Sequence, residues 1–254
     1  KKVTYFLAKT KGTGFETLIS PILKAWVRGL ENEPVKALEE LEALKKISLF
    51  QSFGAEHAAY IMDYMGNDGA AEKAYLSLLS SNQLANIDPI FSYGAFLSRI
   101  NRKADALNIY NSFYKALPSN RNLRDAIERL EKGIQSKSVA HNPDLAIGLA
   151  LLRVATELSR DSANRPALLY AQLGLFMAPS YETGLLLIAN LFIASEQPQS
   201  ALDVLEKIPT QNNYSDIARI RESLAWNELG NEDKAISVLR DYLNIDSGNR
   251  LIHS

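Results

Sequence analysis

Apolar and polar positions along the chain follow a helical period, and small residues return within it at a fixed spacing. Ala167, Ala201 and Ala235 stand 34 residues apart, each with apolar stretches on both sides. Apolar residues that recur every three or four positions are typical of amphipathic helices. A longer period of 34 residues is typical of an array in which every repeat is a pair of helices. The pattern therefore predicts an all-α chain of stacked helix pairs.

Small residues also align where the two helices of one pair must approach closely. The aligned pairs are Ala25 with Ala37, Ala59 with Ala71, Gly94 with Ala106, Ala155 with Ala167, Ala189 with Ala201, and Ser223 with Ala235. A side chain larger than a methyl group at such a position would push the backbones apart. We therefore predict about six helix pairs, starting near residues 18, 52, 87, 148, 182 and 216.

Turn signals divide the pairs. Gly66, Asn101 and Gly230 stand where a first helix should end in the left-handed conformation, and Pro118 and Pro179 stand where a second helix should end. Residues 119–147 are too short for a full pair, and we interpret them as one amphipathic helix followed by an irregular connector. The predicted segments are 1–118 and 148–254, both made of helix pairs, with the joint at 119–147 between them.

Both ends of the chain carry expectations of their own. Residues 1–17 are interpreted as the tail of an earlier repeat, broken at residues 12–14. The chain starts at Lys1 rather than at a methionine, so we expect it to be a processed or excised piece of a longer protein.

These positions resemble the tetratricopeptide repeat (TPR) family. The fullest match is formed by Tyr93, Gly94, Leu97, Ala106, Tyr110, Phe113 and Pro118. The resemblance implies a right-handed α-α superhelix that binds a peptide or partner protein in its concave groove. Residues 20–26, 53–59 and 167–173 are similar to an alphaproteobacterial group of such proteins. Members of that group often carry export signals, which implies the periplasm or cell envelope; the cytoplasm is the alternative.

In the TPR family the first helix of each pair lines the concave groove, and this register selects the candidate partner-binding residues. They are Trp26, Phe53, His57, Tyr60, Tyr64, Phe91, Arg153 and Asn190. The same register places Asp63 and Arg99 on the inner face and Trp226 in the core. Aromatic anchors with polar neighbours suit an extended or helical peptide. The alternative is that the aromatic rings only fill gaps between successive repeats.

Composition narrows the function further. The chain has 28 basic and 29 acidic residues, so its net charge of -1 favours neither nucleic acid nor an anionic membrane surface as a partner. No apolar run is long enough for membrane insertion. The three histidines lack the spacing of a metal site, and the chain has no cysteine. Asn190 lacks the lysines of a carboxylate clamp. No metal, cofactor or catalytic residue is therefore predicted.

These observations predict a non-enzymatic scaffold for protein-protein interaction. Two alternatives stay open: a self-assembling structural component of the cell envelope, and the recruitment domain of a larger enzyme. The sequence indicates neither the partner's identity nor the oligomeric state.

Overall fold

A computed structural model describes residues 16–46, 48–80, 87–134, 138–210 and 213–250. Nearly all of the predicted N-terminal tail therefore lies outside the described residues. The chain divides into two compact units, unit 1 (Lys1–Ile147) and unit 2 (Gly148–Ser254). The described residues form helices and connecting turns without any strand, which confirms the predicted all-α fold.

Unit 1 contains three helix pairs followed by a further helix and one turn of 3-10 helix. In chain order these are α1 (Glu16–Leu30), α2 (Pro34–Lys45), α3 (Ser48–Tyr64), α4 (Asp68–Ser80), α5 (Asp88–Arg99), α6 (Lys103–Ala116), α7 (Arg121–Glu131) and the 3-10 helix Val139–His141. Each first helix packs against the second helix of its own pair, as α1 does on α2, α3 on α4 and α5 on α6.

Three more pairs follow, and the division between the units falls within the first of their helices. In chain order these are α8 (Pro143–Arg160), α9 (Asn164–Met177), α10 (Glu182–Ile193), α11 (Pro198–Leu205), α12 (Ser215–Glu228) and α13 (Glu232–Arg250). In unit 2, α10 packs on both α9 and α11, and α12 on both α11 and α13. All six first helices begin within five residues of their predicted starts.

The predicted small residues are nearly all buried. Eleven of the twelve are buried, and Ser223, which is partly exposed, is the exception. At Gly94 an added Cβ would come within 2.2 Å of Cζ of Tyr110 on the partner helix. The alignment of small residues therefore reflects a steric requirement between paired helices, as predicted.

Every first helix ends in the same capped turn. A left-handed residue follows each one within the described chain: Asn32, Gly66, Asn101, Ser162, Glu196 and Gly230. At the first of these turns the amide of Asn32 donates to the carbonyl of Gly29, and the amide of Glu33 donates to that of Arg28. This double hydrogen bond is the Schellman motif, which satisfies carbonyls at the end of a helix.

The predicted left-handed turns at Gly66, Asn101 and Gly230 are therefore confirmed. Ser162 and Glu196 adopt the same conformation without being glycine or asparagine, so residue type alone did not mark them. Their place in the repeat dictates the backbone conformation.

The predicted amphipathic helix in the connector is α7, which buries Leu123, Ala126 and Leu130. Asn120 caps it, because its side chain accepts a hydrogen bond from the amide of Leu123 at 3.0 Å. After α7, the turn Val139–His141 packs on α3 and α5, both of which are first helices. This return of the connector to the first helices positions the site described next.

Candidate functional site

One face of α3 gathers aromatic and polar side chains at helical spacing. They are Phe53, Glu56, His57, Tyr60, Asp63 and Tyr64. Positions three, four and seven residues apart lie on one side of a helix. Because α3 contacts α1, α2, α4, α5 and the turn Val139–His141, this face lies at the centre of unit 1.

Most of the predicted partner-binding residues of unit 1 are buried rather than open to a groove. Trp26, Phe53, His57 and Tyr60 are each less than 5% exposed. The expectation that these four side chains line an open surface is therefore wrong. Their rings lie within unit 1, where they fill the space between successive helices, as the alternative interpretation held. Whether this part of the chain binds a partner stays a prediction.

Ring contacts explain the burial of Trp26. Its indole meets the His57 ring edge-on at 6.3 Å between centroids and the Tyr64 ring at 5.9 Å. Its Nε1 donates a hydrogen bond to Nδ1 of His57 at 2.9 Å. A buried indole N–H usually needs such an acceptor. The hydrogen bond fixes the orientation of both rings between α1 and α3.

Tyr64 and Phe91 are the predicted unit 1 residues that keep partial exposure. Phe91 packs against Tyr110 with ring centroids 6.1 Å apart. Among the predicted residues, contacts link Trp26 with His57 and Tyr64, and His57 with Tyr60. Phe53 instead packs against Phe50, with ring centroids 6.5 Å apart.

A buried carboxylate forms the polar centre of unit 1. Asp63 is fully buried, and its Oδ2 accepts a hydrogen bond from the Tyr75 hydroxyl at 3.0 Å. Its Oδ1 lies 3.1 Å from Nη2 of Arg99 and 3.1 Å from Nε2 of His141. We call these four residues, Asp63, Tyr75, Arg99 and His141, the Asp63 site. A buried charge is tolerated when hydrogen bonds and an opposite charge surround it in this way.

Arg99 is shared between two carboxylates. Its Nη2 also lies 2.6 Å from Oδ1 of Asp68, and the Asp68 side chain is 48% exposed. The guanidinium therefore links the interior of unit 1 to its surface. The guanidinium carbon Cζ of Arg99 also lies over the Phe96 ring, 5.3 Å from its centroid, which is a cation–π contact.

Two buried tyrosines next to these carboxylates resist ionisation. Burial raises the pKa of Tyr75 well above its usual value, and the nearby Asp63 charge raises it further. Burial likewise raises the pKa of Tyr60, with an added contribution from Glu56, which accepts the Tyr60 hydrogen bond at 3.2 Å. Both phenols therefore remain protonated hydrogen-bond donors in the folded chain near neutral pH.

The segment Ser138–His141, which we call the 138–141 segment, lies on this polar centre. The Ser138 hydroxyl accepts a hydrogen bond from the amide of Ala140 at 3.1 Å and starts the 3-10 turn. Ala140 is fully buried, whereas the His141 side chain keeps 45% of its exposure. A piece of the connector thus occupies part of the first-helix face of unit 1.

Sequence reasoning missed Tyr75 and His141 as members of this site. Asp63 and Arg99 were placed on the inner face by their repeat register, but Tyr75 belongs to a second helix. His141 lies 78 residues from Asp63 in an irregular connector, where no period applies. No signal in a single sequence marks that contact.

Arg153 and Asn190, the predicted contacts of the C-terminal half, lie in unit 2 on the first helices α8 and α10. Both side chains are partly exposed. The next first helix, α12, exposes three apolar side chains about one turn apart, Ile217, Ile220 and Leu224. The described first helices of unit 2 thus combine a cation, an amide and aliphatic groups.

The described residues lack both a metal-binding cluster and a helix that could span a membrane. They contain no group of three or more histidine, aspartate or glutamate side chains placed to hold a metal ion. None of the described helices combines the length and apolar character that a membrane span requires.

No known family model matches the chain, and no curated protein matches it. Similar solved structures include a tetratricopeptide repeat protein from Parabacteroides merdae ATCC 43184, at 14% identity and TM-score 0.38, covering 90% of this chain and 93% of that one. The structure of MamA is similar at 14% identity and TM-score 0.35, and the match covers 76% of this chain and 90% of that one. YrrB, named as a TPR protein with an unusual peptide-binding site, is similar at 12% identity and TM-score 0.32, covering 94% and 98%. The alphaproteobacterial grouping stays a prediction.

Proposed function

We propose that this chain is a non-enzymatic scaffold that binds a peptide segment of a partner protein on the faces of its first helices. The observation that carries the proposal is the 138–141 segment, which already lies against the first helices α3 and α5. A face that accepts a short stretch of its own chain has the shape and hydrogen-bonding groups that a partner's peptide needs. Peptides in such sites obtain most of their affinity from a few anchors.

The predicted contact residues divide into two roles under this proposal. Tyr64, Phe91, Arg153 and Asn190 keep exposed surface and contact the partner directly. Trp26, Phe53, His57 and Tyr60 lie beneath and hold the surface in shape. Truncating one of the buried rings would destabilise the fold, by about 3 to 5 kcal/mol for a large aromatic side chain. Binding variants therefore belong at the four partly exposed positions.

Selection from a displayed peptide library, with the full chain as target, tests the proposal. Peptides selected on the intact chain should lose affinity about tenfold or more when Arg153→Ala and Asn190→Ala are combined, since binding hot spots cost at least 1 to 2 kcal/mol each. Gln172→Ala and Gln199→Ala, at exposed positions of the second helices α9 and α11, form the matched control and should leave affinity unchanged. Tyr64→Ala with Phe91→Ala probes the unit 1 surface in the same way.

Two results would contradict the proposal. One is a selection that yields no specific binder to a folded, monodisperse chain. The other is a set of binders whose hydrogen-exchange protection maps to the second helices and whose affinity is indifferent to all four first-helix substitutions.

Self-association is a second candidate function, favoured by an apolar stripe on α9. Leu169, Leu173 and Phe176 are exposed on one side of that second helix, and Phe176 is 83% exposed. Clustered large apolar side chains on a surface are typical of protein contacts. Phe176→Lys should abolish any concentration-dependent rise in mass seen by light scattering. A chain that is monomeric at every concentration would exclude this candidate.

A further inference from the structure

We propose that the Asp63 site is a docking site for a peptide that carries a small apolar residue followed by a histidine or a cationic residue. The chain's own 138–141 segment occupies the site as an internal competitor. This inference rests on the proposed scaffold function and names the chemistry that one of its surfaces recognises.

The seated segment displays the recognition elements. Ala140 inserts its methyl group fully out of solvent, in a turn that packs on α3 and α5. The next residue, His141, brings Nε2 to 3.1 Å from Oδ1 of Asp63. An ionised carboxylate only accepts hydrogen bonds, so the imidazole donates its Nε2–H. A peptide with a methyl-sized side chain followed by a hydrogen-bond donor therefore fits the Asp63 site.

Charge favours a cationic or imidazole group at the second position. Asp63 and Asp68 place two carboxylates against the single guanidinium of Arg99. The nearby Arg102 is held by Glu72 and Asp105, so it does not offset the excess. One negative charge is left for the ligand to balance. A hydrogen bond from a charged donor to a buried carboxylate is stronger than a hydrogen bond between two neutral groups.

The segment is held weakly enough to be displaced. Its 3-10 turn is three residues long, and Ala140 is its single buried residue among those described. By contrast, the preceding helix α7 buries Leu123, Ala126 and Leu130. Hydrophobic stabilisation grows with buried apolar area, about 0.8 kcal/mol for each buried methylene-sized group. Elements with few buried contacts open locally at low free-energy cost.

Because the chain's own segment occupies the site, an external peptide must bind tightly enough to displace it. A tethered ligand competes at an effective concentration on the order of millimolar. An external peptide with the same two residues therefore binds the intact chain poorly. It binds well once the segment is removed, or when it adds contacts that the segment lacks.

Binding in trans tests this directly. One full-chain variant combines Ser138→Gly, Val139→Ser, Ala140→Gly and His141→Ser, and the probe is a fluorescent synthetic peptide with the sequence of residues 135–144. Fluorescence anisotropy should show the probe binding the variant at least about tenfold more tightly than the intact chain, because the tethered competitor is gone. Probes carrying His141→Ala or Ala140→Glu should bind the variant at least about tenfold more weakly.

The carboxylates supply a matched pair of controls within the same variant. Asp63→Asn should weaken probe binding about tenfold, because Asp63 contacts the ligand directly. Asp68→Asn should weaken it less than about threefold, because the Asp68 side chain is 48% exposed and solvent screens its charge. A variant that remains folded by circular dichroism but does not bind the probe would overturn the inference.

Thiol labelling keeps the inference testable if the fourfold variant fails to fold. The chain has no cysteine, so Ala140→Cys introduces a unique thiol, with Ala126→Cys on α7 as the control. Both positions are buried. Segment opening should let the thiol at position 140 react about a hundredfold faster than the one at 126, because the first needs local opening and the second needs loss of a packed helix. Equal rates that follow global unfolding would show a fixed core element and would reject the inference.

The two proposals fail separately. If library peptides bind unit 2 while the probe never binds the Asp63 site, the scaffold function stands and this inference falls. If the probe binds but the affinity of library peptides is indifferent to substitution of Tyr64, Phe91, Arg153 and Asn190, the docking site stands and the proposed scaffold function falls.

Discussion

Unit 1 buries aromatic rings and ionisable groups between its helices, whereas the buried side chains described in unit 2 are almost entirely aliphatic. Glu56, His57, Asp63, Ser92 and Ser98 are the buried polar residues of unit 1 in the described chain. Ser215 is the buried polar residue described in unit 2. In unit 2 the core around α10 to α12 consists of alanine, leucine and isoleucine.

This contrast shows where specificity is built into a repeated fold. An aliphatic core needs only volume and close packing, so it can vary while the volume is kept. Buried polar groups must each find a partner with defined geometry. The polar interior of unit 1 therefore fixes one arrangement of the helices around Asp63, whereas the aliphatic core of unit 2 depends on packed volume.

The largest expected effect comes from placing a charge in the aliphatic core. Ala201 is fully buried in the unit 2 cluster, which offers no charged partner among its members. Ala201→Glu should destabilise unit 2 by about 4 kcal/mol or more, because a buried unpaired carboxylate must be desolvated or protonated. Gln199→Glu, at an exposed position two residues earlier, should cost less than about 0.5 kcal/mol.

Tryptophan fluorescence can report each unit separately. The chain has two tryptophans, Trp26 in unit 1 and Trp226 in unit 2. With Trp26→Phe as background, urea unfolding followed at Trp226 should show the loss caused by Ala201→Glu. A soluble variant with an unchanged midpoint would show that the repeat register is wrong.

Glycine contacts give the next largest effect and distinguish the two cores. A Cβ at Gly94 would meet Cζ of Tyr110 at 2.2 Å, whereas a Cβ at Gly148 would meet the Gly174 carbonyl oxygen at 2.9 Å. Each Gly→Ala change should cost about 2 to 3 kcal/mol net, because overpacking exceeds the gain of about 1 kcal/mol in helix propensity.

A second substitution separates side-chain from backbone overpacking. Tyr110→Leu should relieve most of the cost of Gly94→Ala in a double-mutant cycle measured by urea unfolding. No truncation of Leu152, which lies near Gly174, should rescue Gly148→Ala, because the obstacle there is backbone. A fully stable Gly94→Ala variant would mean that the Tyr110 ring does not cover that helix.

The fold could be predicted because its signals repeat at neighbouring positions. Ala25, Ala37, Ala189 and Ala201 are all fully buried at equivalent repeat positions, so the period alone located them. The left-handed turn at Gly66 was predicted in the same way, from its position after the first helix of a pair. Contacts of this kind lie within one pair, where helix geometry converts sequence spacing directly into distance.

The Asp63 site could be predicted only in part. Repeat register placed Asp63 and Arg99 on the inner face. The position of His141 beside Asp63 depends instead on the path of an irregular connector, which no period describes. The expectation that Trp26 is exposed was wrong for a related reason. Repeat register indicates the direction of a side chain. The burial of Trp26 and its hydrogen bond to His57 depend on which other residues pack around the indole.

Removing the buried charge of unit 1 should have an intermediate effect. Asp63→Asn keeps the shape but weakens hydrogen bonds to Tyr75, Arg99 and His141, so it should cost about 2 kcal/mol. Asp68→Asn changes the same Arg99 contact at an exposed position and should cost less than about 0.5 kcal/mol. Urea midpoints in a Trp226→Phe background measure both.

A comparison of those two variants tests whether burial decides the outcome. Equal losses would mean that Asp63 is no more important than a surface partner of Arg99, and the contrast between the two units would lose its electrostatic basis.

The smallest expected effect per residue is the stability that unit 1 loses at alkaline pH through each of Tyr60 and Tyr75. Burial raises the pKa of both phenols when the chain is folded. Their contribution is therefore complete below the unfolded pKa of about 10 and is lost as the pH rises above it. Each phenol should remove about 1.4 kcal/mol of stability by pH 11, provided that its folded pKa lies well above that pH.

Urea unfolding at pH 9 and pH 11, followed at Trp26 in the Trp226→Phe background, measures this loss. Tyr75→Phe should remove roughly half of the tyrosine contribution, and Tyr60→Phe with Tyr75→Phe should remove nearly all of it. Tyr75→Phe also loses the hydrogen bond to Asp63, which lowers stability by about 1 kcal/mol at both pH values and so cancels from the difference. If the variants and the parent lost the same stability between these pH values, the two phenols would have to ionise freely in the folded chain. Their burial beside Glu56 and Asp63 would then not be the property that separates unit 1 from unit 2.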